Sequence, residues 1–182
     1  APTIPDLNGI QNYMGDYNAT ELANRMDKPK LIGDIVSSWK KIANNKKTIV
    51  FASSVAHSKN IAESFIDIGI NAAHIDGTTD HAERERVLDE FNNGNLKIIC
   101  NCMVLTEGFD CPPAEVCVLA RPTKSLGMYI QMVGRVLRPY EGKEYATIID
   151  HSGAVYTHGF VEDDIDWTLD PTTKEIKVCR SS

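Results

Sequence analysis

The chain has 182 residues, 42% of them hydrophobic and 24% charged, which is enough for one well-buried domain and too little for two large ones. Its formal charge of −6 is the wrong sign for a module that grips nucleic acid through a broad basic surface, so any such binding must use local donors such as amides, hydroxyls and helix N-termini. No apolar run is long enough to span a bilayer and no charged-then-apolar leader opens the chain, so the expectation is a cytoplasmic protein with no membrane partner.

Residues 1–18 carry Pro2, Pro5, Asn8, Gly9 and Gly15 with little periodicity and read as a linker or extended arm. Helical pattern starts near Ala19 and runs to Met26. Pro29 punctuates it, and a longer amphipathic helix follows through Leu31, Ile32, Ile35, Val36, Trp39 and Ile42. Thr48–Ala52 is a continuous apolar run, as expected of a strand buried on both faces. Next come a helix over Ser58–Ile68, a strand over Ala72–Ile75 and a charged helix over Asp80–Asn92 closed by Gly94. Strands are predicted at Lys97–Asn101, Val116–Ala120 and Tyr145–Ile149, with a helix over Leu126–Val136 between the last two. Beyond Asp150, Ile165–Leu169 and Glu175–Val178 flank Asp170-Pro171 and suggest a terminal hairpin.

Strands alternating with helices of this length predict an α/β domain over 19–150, with a mostly parallel sheet between helical layers and a C-terminal extension over 151–182. Ligands of such sheets gather at the carboxyl ends of the strands. The polar clusters lie there: Ser53-Ser54, Asp76-Gly77-Thr78, Met103 to Asp110, and Arg121-Pro122-Thr123. The five cysteines form no Cys-x-x-Cys pair and no His-rich cluster joins them. Cys100, Cys102 and Cys117 therefore read as buried reduced thiols, and no metal site is expected within the chain.

The most informative string is Gln131-Met132-Val133-Gly134-Arg135-Val136-Leu137-Arg138-Pro139. If the helix runs this far, Gln131, Arg135 and Arg138 share one face. An amide and two guanidiniums at one point suit a polyphosphate, because guanidinium forks match phosphate oxygens and stay charged at any physiological pH. Alone, the same string is also compatible with a solvated basic helix face. The string resembles motif VI of superfamily 2 helicases, a signature of their second RecA-like motor domain. Thr48 to Ser54 resembles motif IV, Asp76-Gly77-Thr78 with Glu83-Arg84 resembles the junction after it, and Leu105 to Pro112 resembles motif V. All occur in the family's order over roughly residues 46–150, and agreement across several motifs is more specific than any one. The Thr106-Glu107-Gly108-Phe109-Asp110-Cys111-Pro112 string is similar to bacterial and phage DEAD/DEAH-like helicases, in particular RadD-like DNA-repair ATPases and the motor subunits of type I and III restriction enzymes. Gln131 and Met132 depart from the His and Arg usual in RNA-dependent DEAD-box enzymes, so the resemblance favours DNA over RNA as partner.

The resemblance implies that Arg138 is an arginine finger and Arg135 its partner on the γ-phosphate of ATP, with Gln131, Gly108 and Asp110 facing the nucleotide. For Asp110 a turn-capping role stands beside this. It implies nucleic-acid contacts at Ser53, Ser54 and Thr106, with Gly77 and Thr78 as amide donors; capping of local turns is the alternative for Ser54 and Thr78. Cys102 stands where many relatives have Thr or Ser. A phosphate-cradling Gly-x-x-x-x-Gly-Lys-Ser/Thr loop and an Asp-Glu pair for Mg2+ are not in this sequence. The expectation is therefore half of a motor, with the metal held by a first RecA-like domain that residues 1–18 would tether, and no ATPase activity from this chain alone. The competing reading is a non-catalytic RecA-like module used for protein docking.

Overall fold

The computed structural model describes residues 3–43, 45–104, 111–165 and 178–179. Its central element is the strand Thr48–Ala52 (β3), every residue of which is buried. A strand of uninterrupted Ile, Val and Phe can be satisfied only where both faces are covered, and here both are. Four more strands line up beside it: Ala72–Ile75 (β4), Ile98–Asn101 (β5), Val116–Ala120 (β6) and Thr147–Asp150 (β7). The order is β4-β5-β3-β6-β7, all parallel, as the alternating pattern predicts.

Side chains alternate across this sheet and split the core in two. One face carries Ile49, Phe51, Ile99, Cys117 and Leu119, covered by the helices His81–Asn92 (α4) and Leu126–Gly134 (α5) through Val87, Phe91, Tyr129, Met132 and Val133. The other carries Val50, Ala52, Ile98, Cys100, Val116 and Val118. It is covered by Pro29–Ile42 (α2) and Val55–Ile66 (α3) through Ile32, Ile35, Trp39, Ile61 and Phe65. Trp39 meets Phe65 edge to face with centroids 5.3 Å apart, and its indole N–H donates to the Thr48 hydroxyl at 2.7 Å. A buried indole thus keeps its polar end satisfied.

Helix limits follow from capping chemistry. Ala19–Met26 (α1) starts at Asn18, whose side chain accepts from the amides of Thr20 and Glu21. Pro29 opens α2 at a position that needs no amide donor. The third helix begins three residues before the Ser58 predicted from periodicity, because the Ser54 hydroxyl accepts from the His57 amide at 3.1 Å and nucleates the extra turn. At the other end, Gly69 at φ 80° turns the chain after Ile66 rather than Ile68.

Residues 3–18 lie against the domain. Asn12–Tyr13 (β1) and Asp16–Tyr17 (β2) pair antiparallel across a Met14-Gly15 turn with positive φ at both residues, the twist that suits a two-residue hairpin. Ala154–His158 (α6) follows β7, and Asp164–Ile165 (β8) pairs antiparallel with Val178–Cys179 (β9). The expected hairpin segments between those two strands lie outside the described residues. Among the described residues, no helix is long and apolar enough to cross a membrane.

Candidate functional site

The chain leaves β3 through α3 toward one edge of the sheet and leaves β6 through α5 toward the other. Oppositely directed connections from neighbouring strands open a crevice at their carboxyl ends, where open α/β sheets bind ligands. Register makes Ala52 the neighbour of Ala120, so Ser53 and Arg121 begin adjacent loops at this crevice. Asp76 and Cys102 follow β4 and β5 on the same edge.

Ser53 is buried, and its hydroxyl lies 2.9 Å from His57 Nδ1, which also accepts from the Ser53 amide at 3.3 Å. Accepting at Nδ1 makes the imidazole neutral, and burial pushes its pKa down to about 4. Ser54 spends its hydroxyl on the α3 N-terminus. Both serines therefore stand at the crevice with their side chains engaged locally.

Beside them, Ser58 Oγ lies 2.7 Å from His74 Nδ1, and His74 Nε2 lies 2.9 Å from Asp76 Oδ2. The other oxygen of Asp76 accepts from the Thr78 amide at 2.7 Å and the Thr78 hydroxyl at 2.6 Å. These bonds, from Thr78 first and then His74, hold the Asp76 carboxyl well below the usual carboxylate range. Ser58 is fully buried, so this serine–histidine–aspartate chain braces the Asp76–Thr79 loop and exposes no nucleophile. Gly77 and Thr78 are exposed at its tip, and the Thr78 amide, expected as a phosphate donor, is engaged by the Asp76 carboxylate.

The fifth helix is capped by the Ser125 hydroxyl, which accepts from the Met128 amide at 3.3 Å. It ends at Gly134, two residues before the predicted Val136. Arg135 is its C-cap, still in helical conformation, so the four-residue offset from Gln131 keeps those two on one face. Arg138 lies past the helix in the turn that follows, where Lys143 Nζ donates to its carbonyl at 2.9 Å. Any convergence of the two arginines is thus set by this turn and not by helical periodicity. Gln131 and Arg138 are exposed and Arg135 is half-buried. Thr106, Gly108 and Asp110 lie outside the described residues. Just before them, Cys102 is half-buried with its thiol pKa raised, chiefly by desolvation.

Periodicity carried no signal for two further features. Asp16, on the N-terminal hairpin, places its carboxylate on the loop after β6: it accepts from the Thr123 hydroxyl at 2.9 Å and the Lys124 amide at 2.7 Å, with Arg121 Nη2 at 3.5 Å. His158, from α6, stacks on Tyr129 and sets Nε2 2.9 Å from the Thr123 carbonyl. Among the described residues, no group of three or more His, Cys, Asp or Glu could hold a metal ion.

The helicase conserved C-terminal domain family matches residues 27–140. The chain is 36% identical over 166 residues to a 51.5 kDa protein of a Lactococcus phage, covering 91% of this chain and 36% of that protein. A candidate ATP-dependent helicase of Saccharomyces cerevisiae, IRC3, is 32% identical over 152 residues, covering 82% of this chain and 22% of that one. The chain thus spans little more than a third of the curated relatives it matches, or less. Among solved structures, the C-terminal domain of the DEAD-box protein Dbp5 superposes with a TM-score of 0.57 at 18% identity, covering 69% of this chain and 72% of that one. The Escherichia coli DEAD-box protein SrmB superposes at 0.60 and 17%, covering 71% and 75%. At such identity these two speak for the fold alone.

Proposed function

This chain belongs to the helicase conserved C-terminal domain family, the second RecA-like domain of superfamily 2 helicases, and from that premise we propose that it is the C-terminal motor half of an ATP-dependent DNA helicase or translocase. The observation that carries the reading is the end of α5, where Gln131 and Arg135 share a face and Arg138 follows on an exposed turn.

That donor set fits a nucleoside triphosphate. Two guanidiniums and a carboxamide offer many donors and permanent positive charge, which match phosphate oxygens whatever the pH. In this reading Arg138 is the arginine finger, Arg135 supports it on the same phosphate, and Gln131, Gly108 and Asp110 face the nucleotide. Bound ATP supplies the phosphoryl group, and the charge that builds on its oxygens is what the arginines stabilise. The first RecA-like domain would hold Mg2+. Ser53, Ser54, Gly77, Thr78 and Thr106 would line the path of the DNA strand. Hydroxyls and amides at strand ends can hold phosphates without a large positive field, in keeping with the charge of −6.

Closure of this domain on its partner completes the site, so the isolated chain mixed with ATP and DNA is expected to release no appreciable phosphate; robust turnover would refute the half-motor reading. In the longer parent protein, Arg138→Ala is expected to lower ATP turnover by roughly 10³-fold while leaving DNA binding in place. Unchanged turnover in that variant would instead identify a docking module.

A further inference from the structure

The loop after β6 presents four donors to the N-terminal hairpin: the Arg121 guanidinium, the Thr123 hydroxyl, the Lys124 amide and the Lys124 ammonium. The first three meet the Asp16 carboxylate, and the ammonium reaches Asn12 Oδ1 on the same hairpin, 4.8 Å from the Tyr17 ring centroid. The guanidinium, the amide and the ammonium are donors only, and the Thr123 hydroxyl, which accepts from the Ser125 amide at 3.1 Å, gives its own proton to Asp16. Thr123 is 2% exposed, so its hydroxyl is built into the fold. Arg121 Nε is buried and without a hydrogen-bond partner among the described residues, so the guanidinium that meets Asp16 through Nη2 has donor capacity left over.

Two features separate this arrangement from an ordinary brace. The loop lies on the β6 side of the crevice between β3 and β6, beside Ser53, where an open parallel sheet takes its ligand. The hairpin that supplies the carboxylate is small: two strands of two residues, with Tyr13 and Met14 at its tip 66% and 90% exposed. Its described side-chain contacts with the domain run through Asp16, Asn12 and Tyr17 to this one loop. A carboxylate and a phosphate each present a pair of negatively charged acceptor oxygens, so donors that satisfy one can satisfy the other.

We propose that the Arg121–Lys124 loop is a phosphate-binding site and that Asp16 fills it as an internal substitute when no phosphate is bound. The phosphate belongs either to a nucleic-acid backbone or to a nucleotide. The site rests on neither Arg135 nor Arg138, so it stands or falls apart from the arginine-finger reading.

The test uses the 182-residue chain. Asp16→Asn keeps the shape and one acceptor but removes the charge. Asp67→Asn removes the same charge beyond the far end of α3, away from the crevice. Binding of a fluorescein-labelled oligo(dT) is followed by anisotropy and binding of Mg-ATP by calorimetry, both at low salt, with thermal melts of every variant. Asp16→Asn is expected to tighten binding of one ligand by about tenfold, a gain absent in Asp67→Asn and abolished when Arg121→Ala is added. A gain confined to oligo(dT) identifies a backbone phosphate, and one confined to Mg-ATP a nucleotide phosphate. The proposal is overturned if neither ligand binds more tightly, if Asp67→Asn gains as much, or if the gain survives the loss of Arg121. It is equally overturned if Asp16→Asn no longer folds, since Asp16 is then a brace and not an exchangeable occupant.

Discussion

His57 sits at the root of the crevice as a neutral imidazole, and its burial has a consequence for stability. Its pKa is pushed from 6.5 down to about 4, mainly by desolvation. In the unfolded chain the ring takes a proton as pH falls through 6.5; in the folded chain it resists until about 4. The unfolded state thus binds more protons in that window, so stability is complete above pH 6.5 and falls as pH drops toward 4, by up to about 3 kcal/mol from this residue. His151, whose pKa burial also lowers, acts in the same direction. Urea midpoints measured between pH 7 and pH 4 should fall steeply in the native chain and less in His57→Gln; parallel curves would show that this ring is not the source. Little of this is visible in the primary sequence, where the five histidines look isolated. Ser53 meets His57 across the first turn of α3, and Ser58 meets His74 because α3 packs against β4, while Asp76 lies two residues beyond His74 at the end of the same strand.

At the scale of elements, the helices were largely legible because a 3.6-residue apolar period is a local property, and their ends were less so. Ser54 starts α3 early by a side-chain bond that hydrophobic period does not encode, and α5 stops at Gly134, before Arg138. The N-cap of α5 joins several parts of the molecule. Ser125 caps the helix, its own amide donates to the Thr123 hydroxyl at 3.1 Å, and that hydroxyl meets Asp16. Ser125→Ala should lower stability by about 1 kcal/mol, the usual cost of a lost N-cap, as read from urea unfolding. Hydrogen exchange should show the Met128 amide losing protection. An unaltered midpoint would mean that other contacts hold the first turn.

For the whole molecule, the sheet separates two apolar layers. Phe65, from α3, is fully buried on one face and Phe91, from α4, is fully buried on the other. Each Phe→Ala replacement should cost about 3–5 kcal/mol by lost burial and a cavity. Because the sheet lies between the two sites, the double mutant should equal the sum to within about 0.5 kcal/mol. A larger coupling energy, measured by the same unfolding experiment, would mean that the layers repack together.

The alternation of strands and helices, the doubly covered central strand and the order of the helicase-like strings from Ser53 to Arg138 can all be read along the chain. Each of these depends on neighbours a few residues apart, or on which residue types suit a given chemistry. That β3 and β6 lie side by side, that Arg138 stands beyond its helix and that Asp16 reaches a loop 107 residues away emerge in the folded molecule alone. Parallel pairing and long-range ion contacts arise from packing over the whole sheet, and no local period records them.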